Sequence, residues 1–192
     1  MIKINKGIKH NKDKKNSTKK ADGNDVFHPL KDDVLFKKVF LSNKNLLKNF
    51  LAVNLDIDEN SIKYLEYLNA ELPPEFAEKK LCKLDLLVKL NDSLINVEIQ
   101  CRKAEFIEER AITYWARLFS PNLNAGKNYS TSTKTIVMFF LDYKMFDDDF
   151  EIHHGQLRYD ETNQIMSDRQ QYYFFELPKI CKSEAVQNDV KL

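Results

Sequence analysis

A chain of 192 residues, 43% hydrophobic and 31% charged, is long enough for one domain with a real core and too short for two ordinary ones. Thirty Lys+Arg against 29 Asp+Glu give a formal net charge of +1, and 13 Phe, 8 Tyr and 1 Trp argue against a disordered chain. No apolar run approaches the roughly 18 residues of a membrane span, the start lacks the apolar stretch of a secretory signal, and Cys82, Cys101 and Cys181 form no C-x-x-C pair, which argues against a disulfide framework or a zinc site. A soluble protein of the reducing cytoplasm is expected.

Residues 1–20 hold eight lysines and one aspartate, a net +7, so the rest of the chain carries −6. Residues 1–28 read as a basic, disordered arm able to neutralise phosphates, although such runs are more often simply solvated. From Pro29 the pattern is regular. Val34, Leu35, Val39 and Phe40, then Leu46, Leu47, Phe50 and Leu51, recur at helical spacing, with Ser42 placed to cap the second segment. Strands are expected near 62–70, 81–90, 94–101 and 135–143. A helix from about Glu105 to Phe119 precedes the last of them and stops before Pro121. A hairpin with arms near 150–159 and 170–177 follows. The order α, β, β, β, α, β predicts an α/β (α+β) fold with a mixed central sheet flanked by helices.

The stretch from Lys83 to Gln100 reads as two strands around a turn at Asn91-Asp92. That turn makes opposed residue numbers sum to 183, so Leu84 meets Ile99, Leu86 meets Val97 and Val88 meets Ile95. By the same register Asp85 lies opposite Glu98, with Cβ atoms roughly 5 Å apart. Like charges so placed destabilise a sheet and call for something positive. A divalent metal would serve, and an oxygen-rich set without a His or Cys cluster suits Mg²⁺. Gln100, two residues after Glu98, points to the same face. The alternative is an ordinary solvated face of Asp85, Asn96, Glu98 and Gln100, neutralised by Lys83 and Lys89. Cys82 and Cys101 also sum to 183 and read as small hydrophobes on the buried side, Tyr114 and Trp115 as core, and His153-His154 as a turn.

Asp85 followed by Glu98-Ile99-Gln100 resembles the D…E-x-Q form of the PD-(D/E)XK nuclease core. More narrowly, the chain is similar to the recombination-promoting nuclease and PD-(D/E)XK transposase branch. The similarity rests on Asp32-Asp33-Val34-Leu35-Phe36-Lys37-Lys38-Val39-Phe40 for an N-D-x-x-F-K-x-x-F type opening, and on Glu109, Arg110 and Tyr114 for an E-R-x-x-x-Y-like helix. Gly126 and Tyr129 supply a G-x-x-Y segment, and 135–141 an apolar strand. It spans about residues 29–178. The superfamily's usual lysine is Gln100 here, as is normal in this branch, which leaves no cationic group at that position. The domain is expected over 29–180, with 181–192 as a tail where relatives continue into a longer helical region.

The resemblance implies a restriction-endonuclease-like core and metal-dependent endonucleolytic hydrolysis of DNA, linked to recombination or transposition. Asp85, Glu98 and the Ile99 carbonyl would hold Mg²⁺, with Mn²⁺ able to substitute. Gln100 would position the attacking water, and Asp33 would complete the site. Arg110 and Arg117, two helical turns apart, and Lys14, Lys15, Lys19 and Lys20 would meet the DNA backbone, while surface salt bridging explains the arginines as well. DNA is the implied partner, a homodimer is permitted, and neither a membrane nor an organic cofactor is called for. The rival reading is a truncated, catalytically inactive relic that keeps the fold and non-specific DNA affinity.

Overall fold

The computed structural model describes residues 33–72, 82–122 and 128–180. Helix α1 (Asp33–Ser42) and helix α2 (Lys44–Asn54) open the described chain. Their junction is capped by Asn43, whose side chain accepts from the Leu46 N–H at 3.0 Å, rather than by Ser42, whose hydroxyl donates back to the Val39 carbonyl. The apolar stripe is shifted from the expected one: Val34 is 70% exposed, and Phe36 and Phe40, one turn apart, bury with Leu47 and Leu51.

Strands β1 (Leu65–Tyr67), β4 (Leu86–Leu90), β5 (Ser93–Gln100), β6 (Lys134–Leu141), β7 (Ile152–Arg158) and β8 (Ile165–Glu176) form a sheet in the order β1-β4-β5-β6-β8-β7. The outer pairs are antiparallel, and β5-β6-β8 run parallel. Helix α3 (Ile107–Phe119) connects β5 to β6. A mixed six-stranded sheet flanked by helices is the restriction-endonuclease-like architecture expected. Among the described residues no helix is long and apolar enough to cross a membrane.

The β4-β5 register holds as read, with Leu86 opposite Val97, Val88 opposite Ile95 and Leu90 opposite Ser93. Asn91 adopts the left-handed φ of 49° that this short turn requires, and its side chain accepts from the Lys63 and Tyr64 N–H groups, tying the turn to the chain entering β1. The expected strand at 81–90, however, is broken. Cys82–Lys83 (β3) pairs with Glu71–Leu72 (β2) in a separate two-stranded sheet, and β4 begins only at Leu86. Leu84 donates its N–H to the Ala70 carbonyl and packs with Leu87 and Leu118 instead of meeting Ile99. Cys101 is exposed, not on the buried side. His153 and His154 lie in β7 rather than in a turn.

Two layers of apolar side chains sandwich the sheet. On one face α1 and α2 bring Phe36, Phe40, Leu47 and Leu51 onto Val88, Ile95, Val97, Met138 and Phe140. On the other, α3 sets Ile107 and Ala111 on Val137, Phe139 and Leu141, with Tyr114 and Trp115 half-buried at the border. Phe140 joins β6 to both neighbours of its layer, 5.0 Å from the Phe50 ring and stacked 4.5 Å from Phe175. Phe140→Ala should therefore cost about 3–5 kcal/mol, read as a lower urea midpoint at unchanged slope.

Candidate active site

The break at Leu84–Asp85 shapes the site. Past the Leu86–Val97 pair the β4-β5 ladder ends, and two carboxylates take the place of its missing acceptors. The Asp85 N–H donates to Glu98 Oε1 at 3.0 Å, and the Ile99 N–H donates to Asp85 Oδ2 at 3.0 Å. Each acid thus binds the backbone of the opposite strand. The two are brought face to face as the register demanded.

The positive charge that this pair calls for comes from the helices on either side of the sheet. Lys37 of α1 places Nζ 2.8 Å from Asp85 Oδ1. Arg110 of α3 donates through Nη2 to Glu98 Oε2 at 3.1 Å and through Nη1 to Gln100 Oε1 at 3.2 Å. Its guanidinium also lies over the rings of Tyr114 and Phe139, 5.3 and 5.5 Å from their centroids. Lys83 and Lys89 do not neutralise the pair: Lys83 lies near Glu71, and Lys89 over the Tyr64 ring. Nor is the face solvated, because α3 covers it and leaves Asn96 and Glu98 at 0% and 1% exposure.

Asp85, Glu98, Gln100 and the Ile99 carbonyl are gathered in one place, the last accepting from Gln100 Nε2 at 3.0 Å. Asp33 is the first residue of α1, with its side chain outside the described residues. Arg110 turns inward onto the two acceptors, and Arg117 is half-buried two turns further along. Lys14, Lys15, Lys19 and Lys20 lie outside the described residues. The residue that pattern reading left without a role is Lys37, whose signal was the Phe36-Lys37 pair in the opening segment. The donor set of two carboxylates and a carbonyl is all oxygen and fits a hard divalent cation.

A second charged cluster sits at the ends of β7 and β8. Ligand atoms of Asp148, His153 and Glu176 lie within 4.8 Å of one another, but an ammonium already joins the two acids. Lys179 Nζ is 3.0 Å from Asp148 Oδ1 and 2.6 Å from Glu176 Oε2, and it also donates to the Phe146 and Phe150 carbonyls. Hydrogen bonds from His153 and Lys179 hold the Asp148 carboxyl down at about 2. Burial alone would lower the Lys179 pKa, yet its bonds to Glu176 and Asp148 outweigh that and raise it. The cluster therefore acts as a clasp between residues 145–150 and the helical turn at 177–180. Lys179→Met should lower the melting temperature by several degrees by leaving Glu176 buried without its cation, and Lys179→Met with Glu176→Gln should recover much of the loss.

At the two-carboxylate site, burial pushes the Glu98 carboxyl up to about 7, and the Asp85 charge adds to the rise, against the Asp85 N–H and Arg110, which favour the ionised form. The folded state thus holds a proton that the unfolded chain releases near its ordinary 4.5. The stabilisation is complete below 4.5, falls as pH rises, and is lost above about 7, a change of about 3 kcal/mol. Glu98→Gln keeps one acceptor oxygen, for either the Asp85 N–H or Arg110, and does not ionise. In EDTA its melting temperature relative to the unsubstituted protein should climb as pH is raised from about 4.5 to about 8.

Comparison with known proteins gives a match over residues 30–192 to the family model described as PD-(D/E)XK nuclease family transposase. No curated protein and no solved structure matches the chain. The matched span takes in the whole six-stranded sheet, the helices on both its faces and the Asp85–Glu98 pair, and the chain belongs to the PD-(D/E)XK nuclease family transposases.

Proposed function

We propose that the chain is a divalent-metal-dependent endonuclease that hydrolyses DNA phosphodiester bonds in recombination or transposition. The observation that carries this reading is the pairing of Asp85 and Glu98 at the end of the β4-β5 ladder, each fixed by an N–H of the opposite strand. Asp85, Glu98 and the Ile99 carbonyl would hold Mg²⁺, with Mn²⁺ able to replace it. A metal held there would supply a bound water of lowered pKa and polarise the phosphoryl group. Backbone hydrogen bonds preset both carboxylates, so little reorganisation is needed when the substrate arrives. Arg110 holds Glu98 and Gln100 in one orientation. Gln100 then orients the nucleophilic water from the rim of the site, and Asp33 completes it from α1. Arg117 and the lysines of residues 1–20 add contacts to the DNA backbone that are independent of sequence.

The second reading, a catalytically silent relic that binds DNA, draws on the two internal cations. Lys37 and Arg110 satisfy both acids without a metal. Cleavage of supercoiled plasmid separates the two. With Mg²⁺ or Mn²⁺ the protein should nick the plasmid, and EDTA, Asp85→Ala or Glu98→Ala should abolish nicking, while removal of residues 1–20 should weaken binding more than turnover. Folded protein that binds DNA yet performs no better than the two alanine variants would select the relic.

A further inference from the structure

The site has two cations, and they differ in what they can still do. Arg110 is bonded to Glu98 and Gln100 and flanked by two aromatic rings. Its own side chain is 32% exposed, but the acid it holds, Glu98, is 2% exposed. Lys37 and Asp85 form the open side of the site, with side chains 27% and 16% exposed. An ammonium carries three donors, and the contact with Asp85 Oδ1 takes one. The residue is not loosely placed. Phe36, immediately before it, and Phe40, one turn on, are buried against Phe50 and Phe140, so α1 holds Lys37 at a fixed depth beside the sheet end.

Charge balance points the same way. Two carboxylates face two cations, and a phosphodiester approaching from the Asp85 side adds a negative charge where Asp85 already repels it. Among the described residues, Lys37 is the cation paired with Asp85 on that side, and the last residue of β5 is the neutral Gln100. We propose that Lys37 is a catalytic residue of this site, its ammonium contacting a non-bridging oxygen of the bound phosphodiester and stabilising the charge that develops there. The assignment rests on the nuclease reading above. In the reaction the oxygen of water bonds to phosphorus, the bond to the leaving ester oxygen breaks, and that oxygen keeps the electron pair. The water supplies the proton that ends on the leaving hydroxyl, and Lys37 retains its own throughout.

The test uses the full chain and a short DNA duplex. Binding is followed by fluorescence anisotropy over a KCl series in EDTA and in Ca²⁺, and cleavage in Mg²⁺ at saturating DNA, for the unsubstituted protein, Lys37→Met, Lys37→Arg and, as a control on the same sheet, Lys89→Met. Lys37→Met should flatten the dependence of log K on log salt by about 0.9, one phosphate contact, and slow cleavage about 10²–10³-fold. Lys37→Arg should restore the salt slope, and Lys89→Met should change neither. A purely structural counter-ion would lower the melting temperature of Lys37→Met and leave the salt slope alone, which overturns the proposal. Should that variant melt too low to assay, Lys37→Met with Asp85→Asn removes both charges and must show the same flattened slope. An unsubstituted protein that cleaves, matched by Lys37→Met, sinks the role of Lys37 alone, whereas one that neither binds nor cleaves DNA sinks the nuclease reading and Lys37 with it.

Discussion

The β4-β5 ladder stops at Leu86–Val97, before the Asp85–Glu98 and Leu84–Ile99 pairs that its register would add, and the backbone groups left there are bonded by side chains that happen to be acids. Asp85 Oδ2 takes the Ile99 N–H and Glu98 Oε1 takes the Asp85 N–H, a reciprocal exchange across the strand ends. In a continued ladder the Ile99 N–H would be spent on the carbonyl opposite it. The break at Leu84, whose N–H bonds to Ala70, is what frees it. A fold that needs two carboxylates together thereby offsets part of their repulsion with backbone dipoles.

The remaining charge is met from both faces of the sheet at once. Lys37 arrives on α1 and Arg110 on α3, and each helix is set by its own aromatic layer, Phe36 and Phe40 with Phe140 on one side and Phe139 on the other. The site is consequently coupled to the packing of two separate layers, and a cavity in either displaces one counter-ion. The same end of the sheet also carries the Lys179 clasp, since Gln100 pairs with Leu141 and Leu141 with Glu176 along one row. Gln100 at one side of that row serves the carboxylate pair, and Glu176 two strands away anchors the chain end.

Much of this was legible from period and turn. The apolar pattern from Leu86 to Ile99 around the turn at Asn91-Asp92 set a register that the structure keeps from Leu86–Val97 to Leu90–Ser93, and the opposition of Asp85 and Glu98 followed from it. What alternation could not carry was the strand break, since Cys82 and Leu84 continue the apolar pattern while Leu84 packs on the other face with Leu118. Coverage by α3 was equally invisible, because a polar row of Asn96, Glu98 and Gln100 reads as solvated until a helix is laid across it. The two cations lie 48 and 12 residues from their acids, and Lys179 lies 31 residues from Asp148. Such contacts are tertiary, and no local spacing encodes them.

Glutamine at position 100 then has a physical explanation of its own. Arg110 needs two acceptors, and Glu98 Oε2 and Gln100 Oε1 provide them, while the Gln100 amide donates to the Ile99 carbonyl. A lysine in that place has no acceptor to offer and would set a second cation against the guanidinium. With Arg110 bonded to Glu98 and Gln100, a lysine on β5 would crowd the guanidinium, and on the proposed assignment α1 supplies the ammonium through Lys37 beside Asp85. Gln100 and Lys37 are on this account one arrangement: the neutral side chain lets Arg110 fix the carboxylate, and the displaced charge returns from the helix across the sheet.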